Sequence, residues 1–192
     1  MTRIKACKVC RAKFEPRQPM ATVCSPACAL SLAQSKRAKT EKVAQVQERR
    51  ADKAKREKLK TKGDWTREAQ TAFNAFIRAR DAGKPCICCG RTGAGEMHGG
   101  EWDAGHYRSR GAAPHLRFDE RNVHAQLKQC NRYASGNVVG YRAGLIERIG
   151  QGAVEALEAD QAPRHYSIEE LRAIKAHYTS MARVLKKRAA HV

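Results

Sequence analysis

Eight cysteines set out in two groups constrain this chain more than any other feature of its sequence. Cys7-x-x-Cys10 is followed by Cys24-x-x-x-Cys28 in a short polar stretch that also holds Pro16, Pro19 and Pro26. A segment that small cannot bury enough apolar surface to fold alone. Four thiolates in two close pairs suit tetrahedral zinc instead, each pair chelating from one turn. The pattern predicts a zinc-organised finger over residues 1–35 with Cys7, Cys10, Cys24 and Cys28 as ligands, and a helix beginning near Cys28. The N-terminal MTRIKACKVC has no apolar leader, and no apolar run approaches the ~20 residues that span a bilayer. The expectation is an unexported, cytoplasmic protein without a membrane partner, whose reduced thiols bind metal and do not pair as disulfides.

Charge narrows the partner. Thirty-eight Lys and Arg face 19 Asp and Glu, a net +19 that points to a polyanion. From Lys36 to Lys62 twelve basic residues oppose four acidic ones, with no Gly, Pro or aromatic residue. Val43, Val46 and Leu59 are too sparse there for a buried stripe, so residues 36–63 read as a basic helical linker, with Lys53, Lys55 and Arg56 available to phosphate. Residues 64–192 read as the main domain. Trp65, Ala69, Ala72, Phe73, Phe76 and Ile77 recur at helical spacing until Gly83, Lys84 and Pro85. Near the other end Val138, Tyr141, Leu145 and Ile149 mark an amphipathic segment. Ser167 and Glu170 then form a capping box ahead of a stripe running Ile168, Leu171, Ile174, Tyr178, Met181 and Leu185.

Between these helices lie CysIleCysCysGly from Cys86, GlyHisTyrArgSerArgGly around His106, ArgPheAsp, AsnValHis ending at His124, and GlnCysAsnArgTyr around Cys130. This order resembles the HNH nucleases. The resemblance implies a ββα-metal core in which Cys86, Cys89 and Cys130 belong to a zinc knuckle, His106 is the strand histidine, Asn122 the loop asparagine and Asn131 a metal ligand on the following helix. Across nearly the whole chain the sequence is similar to the phage lambda NinG (Rap) family of recombination endonucleases. That likeness implies structure-specific cleavage of Holliday junctions and D-loops in the infected cell, with phage or host recombination proteins as candidate partners. The expected fold is α+β and mainly helical: a small zinc finger, a long basic helix and an HNH-like core with flanking helices.

Phosphodiester hydrolysis requires a deprotonated water and a cation on the scissile phosphate. A neutral His106 can take the proton, Asn122 can hold the imidazole or its loop without adding charge, and the hard carbonyl oxygen of Asn131 suits Mg2+ or Mn2+. Arg108 and Arg110, just past His106, are placed for phosphate. Two positions depart from the HNH pattern. Leu127 stands where the second knuckle pair would begin, leaving Cys88 as a substitute for Cys89 and His124 or a more distant residue as fourth zinc ligand. Gly105 stands where an acidic or histidine ligand often precedes the strand histidine, making Asp103 the nearest carboxylate and Asp119 the fallback. These departures support an alternative, a non-catalytic zinc-finger DNA-binding accessory protein. Membrane-surface or ribosome association explains only the charge. Resolving a four-way junction takes two cuts, which suits a homodimer.

Overall fold

The structure, a computed structural model, describes residues 4–92 and 101–190. His98 and His191, expected as ordinary surface or packing residues, lie outside them. The chain forms two compact units, Met1–Leu59 and Lys60–Val192.

In the first unit β1 (Lys5–Ala6) and β2 (Lys13–Phe14) pair antiparallel, Lys5 opposite Phe14. The chain reverses between them through Arg11, whose φ of 62° is left-handed and whose amide donates to the Cys7 carbonyl. Ser25 then caps α1 (Pro26–Lys58): its hydroxyl accepts from the Cys28 amide, and Pro26 in the first turn brings a preset φ. α1 runs 33 residues and buries none of them. The helix thus starts two residues ahead of Cys28 and absorbs the stretch expected as a linker, so the expected limit at residues 35 and 36 falls inside one continuous element.

In the second unit α2 (Lys62–Arg80) opens on a capping box between Thr61 and Asp64 and buries Trp65, Ala69, Gln70, Phe73, Phe76 and Ile77. Its apolar face meets α5 (Ile168–Ala189), which opens on the expected Ser167 and Glu170 box. Tyr178 packs edge-on against Phe73, with ring centroids 4.8 Å apart. Met181, assigned to the apolar stripe by spacing, is 39% exposed, and Ala182 is the buried residue of that turn.

β3 (Trp102–His106) and β4 (Val123–Leu127) form the second hairpin, with Gly105 opposite His124 and His106 opposite Val123. All five residues of β4 are buried, because both faces of the hairpin are covered. One core gathers Phe73, Phe76, Ala104 and Val123, and the other gathers Ile87, Trp102, Ala125, Leu127 and Leu145. A wide turn with i→i+5 hydrogen bonding, Gln129–Tyr133, follows β4. α3 (Val138–Ile149) and α4 (Gln151–Ala159) close the unit. Val138, read as part of the α3 apolar face, is 54% exposed, while Tyr141 and Leu145 are buried. The chain is α+β and mainly helical. No described helix is long and apolar enough to cross a membrane.

Candidate functional site

Two sets of four sulfurs are assembled, one in each unit. Cys7, Cys10, Cys24 and Cys28 lie within 4.8 Å of one another, and so do Cys86, Cys88, Cys89 and Cys130. Neighbouring sulfurs stand 3.5 Å apart for Cys10 and Cys24, 3.7 Å for Cys24 and Cys28, and 3.6 Å for Cys86 and Cys88. The pair Cys89 and Cys130 is also at 3.6 Å. Four sulfurs bound at ~2.3 Å to one zinc would be about 3.8 Å apart, whereas a disulfide would draw two of them to about 2 Å. Each set could therefore hold a metal such as zinc. The crowding shows in the thiols themselves: hydrogen bonds from Cys10, Cys7 and Cys28 push Cys24 up to about 12. Burial pushes Cys88 to about 12 as well.

The second set corrects the expected ligands. Cys88 joins Cys86, Cys89 and Cys130, and His124 stays out. His124 lies on β4, its ring 6.4 Å from that of Tyr141 and its Nδ1 buried without a hydrogen bond. Leu127, which breaks the Cys-x-x-Cys pattern, contributes its backbone amide to the Cys86 sulfur at 3.3 Å and its side chain to the core. Three closely spaced cysteines on one turn thus replace the second pair.

Beside β3 a polar cavity of about 410 Å3 is lined by Asp103, His106, Arg110 and Asn131 together with Asn74 and Arg78 of α2. Asp103, Ala104 and His106 of β3 reach it, and Asn131 comes from the wide turn after β4. The His106 Nε2 lies 3.1 Å from the Arg117 carbonyl, which can only accept, and the Ala104 carbonyl also bonds the ring; the tautomer that donates Nε2–H to Arg117 leaves the lone pair on Nδ1. Burial lowers the His106 ring to about 4, and the positive charges of Arg110 and Arg117 add to the effect. Asp103 sits below the usual carboxylate range. Its burial would raise it, but Arg132 and the Asn131 amide outweigh that. Asn131 Nδ2 donates to Asp103 at 3.0 Å, and Arg132 grips both carboxylate oxygens, at 2.8 and 3.1 Å.

Other residues read as site residues serve elsewhere. Asn122 is fully buried and does not line the cavity. Its Oδ1 accepts from the Arg108 amide at 2.8 Å, and its Nδ2 donates to the carbonyls of Arg108 and Leu116. It pins the loop after β3 and makes no hydrogen bond to His106. Arg108 is correspondingly drawn away, donating to the Glu158 carbonyl at 2.9 Å. Asp119 is held by Arg121 and borders a different cavity, as does His115. Lys53, Lys55 and Arg56 are exposed on α1. Asn74 and Arg78 were not legible as site residues, because four-residue spacing on a helix reads equally as a solvated face. Gly105 has a steric cause: a Cβ there would stand 2.1 Å from the Gln126 Oε1.

The family model described as Bacteriophage Lambda NinG protein matches residues 1–188. Protein ninG of Escherichia phage 933W is 42% identical over 193 residues, covering 95% of this chain and 94% of the relative. Protein ninG of Salmonella phage P22 is 43% identical, covering 92% and 90%, and that of Escherichia phage lambda is 42% identical over the same shares. No solved structure matches the chain.

Proposed function

From the premise that the chain belongs to the NinG family of bacteriophage proteins, we propose that it is a divalent-metal-dependent endonuclease acting on branched recombination DNA, with His106 as general base. The observation that carries the reading is the cavity in which a neutral histidine, a carboxylate, two amides and three arginines meet. The order β3, β4 and then Asn131 supports the HNH reading in part: Asn131 was expected on a helix and instead lies on the five-residue wide turn ahead of α3.

His106 Nδ1 takes a proton from water as the water oxygen bonds to phosphorus. The bond from phosphorus to the 3′ oxygen breaks, and that oxygen is protonated from solvent. A ring lowered to about 4 stays unprotonated throughout the physiological range, at the cost of weaker basicity. A phosphate paired with Arg110 offsets one of the charges that lower it, so its basicity rises when substrate is seated. Arg78 has no acidic partner among the described residues and is free for the same phosphate.

Asp103 and Asn131 fit a hard cation: an ionised carboxylate stands beside an amide whose Oδ1 accepts no bond from a described residue. Mg2+ or Mn2+ held there supplies charge neutralisation at the phosphate and the departing oxygen. Two contacts favour a non-catalytic DNA-binding role instead, the Arg132 clamp on Asp103 and the bond from Asn131 Nδ2 to the same carboxylate; the 57% exposed Arg132 side chain must swing outward and the Asn131 amide must turn its oxygen inward for the pair to serve.

The deciding experiment uses His106→Ala on a four-way junction. Metal content and junction binding should stay near wild type while cleavage falls by about 10²–10⁴. Asn131→Ala should also cut slowly, with partial recovery at high Mn2+, since metal concentration offsets a lost ligand and not a lost base. Wild-type cleavage by His106→Ala would refute the assignment.

A further inference from the structure

A groove of about 750 Å3 lies between α2 and α5, and its floor is methyl-lined by Ala72, Ala75 and Ala182. Its rim carries Arg67, Lys175, Arg183, Lys186 and Lys187 against one acid, Glu68, which Lys60 and Lys175 already share. Arg183, Lys186 and Lys187 are exposed and pair with no carboxylate among the described residues. The groove also adjoins the cavity of His106 along one helix face. Arg67, Thr71, Asn74 and Arg78 recur at i, i+4, i+7 and i+11 of α2; the first two line the groove and the last two line the cavity.

We propose that this groove is a second DNA-contact surface of the same active site, holding the phosphate backbone of the strand that flanks the scissile position and leading it along α2 to Arg78 and Arg110. The inference rests on the nuclease reading. Charge favours a polyanion, and the small apolar floor lets deoxyribose faces approach without desolvating a buried polar group. From Arg67 to Arg78 the helix rises roughly 16 Å, the axial length of about five nucleotides at ~3.4 Å each. The track therefore spans several phosphates, and its contacts carry no base information. An acidic amphipathic helix would also suit the floor, but nothing would then require the groove to continue into the catalytic cavity.

The test compares the full chain with the triple variant Arg183→Gln, Lys186→Gln, Lys187→Gln, using junctions whose arms are either long or cut short beside the branch. With long arms the variant should bind more weakly, and the slope of log affinity against log salt should shrink by roughly 0.9 for each lost contact. With short arms the two proteins should bind alike. All three positions are exposed, and circular dichroism with metal analysis checks that the fold is kept. Equal affinity and equal salt slope on long arms overturn the inference, and they also point to an acidic protein as the occupant. Failure of wild type to cleave any junction strikes the nuclease reading alone, because the binding comparison does not depend on turnover.

Discussion

Asp81 closes α2 with no solvent exposure, and it accepts from the Ala125 amide at 2.9 Å while Arg80, Arg148 and Lys84 surround it. Burial would raise its carboxyl, but Arg80 and the Ala125 amide hold it down to about 2. His124, on the same strand, is lowered to about 3, chiefly by burial and next by Arg80. An unfolded histidine takes its proton near pH 6.5, whereas the folded His124 refuses it until far lower pH. Below pH 6.5 the unfolded state therefore binds the extra proton, and stability falls as pH falls. Asp81 adds a loss of the same sign below about pH 4, where an unfolded carboxyl protonates first. His124→Gln should flatten the decline between pH 7 and 5 by about 2 kcal/mol at most. Urea titrations of both proteins at the two pH values measure the difference, which cancels any shared loss of bound metal. An unchanged slope would show that His124 is not the source. Nothing in the sequence singles out Asp81, since a carboxylate after a helix ending in Arg80 reads as an ordinary surface residue. That His106 and Asn131 come to one cavity was legible because their neighbours formed a recognisable order.

At the level of elements, α3 comes against the cysteine turn through two glycines four residues apart. A Cβ at Gly140 would stand 2.2 Å from the Cys88 carbonyl oxygen, and one at Gly144 would stand 1.9 Å from that of Ile87. Two effects then compete in Gly144→Ala. Helix propensity gains about 1 kcal/mol, while the clash is with backbone and costs about 1–3 kcal/mol through displacement of α3. Packing should win, lowering the urea midpoint and speeding zinc release from Cys86, Cys88, Cys89 and Cys130. A stabilised variant would show that the turn yields freely. The helix starts were readable because caps are local: Ser167 with Glu170 declares itself in four residues. The glycine contacts were not, since hydrophobic period says which face is buried and nothing about how near a foreign carbonyl comes. The same limit hid α4 as a separate helix, and it made Cys88 and Cys89 alternatives and His124 or a more distant residue the fourth ligand, where the turn brings both cysteines to the set.

For the whole molecule the two sulfur sets sit in units of unlike support. Cys7 is buried but Cys10 and Cys24 are exposed in a unit whose long helix buries nothing, while Cys86, Cys88 and Cys130 are buried in a core and Cys89 is the one exposed member of that set. Spacing alone favoured the first set as the tighter, being the only complete one; with Cys88 counted, both are complete. Exposure should now decide the order. Purified protein should carry two zinc ions, and a colorimetric chelator should remove one quickly and the other only on the timescale of unfolding the second unit. A single release phase would contradict this. α1 carries a last consequence. At about 1.5 Å per residue its 33 residues extend roughly 50 Å, near the length of fifteen base pairs. Because no side chain along it is buried, a turn could be added or removed without opening a void anywhere. Packing therefore fixes neither the length of α1 nor its composition, provided the segment stays helical.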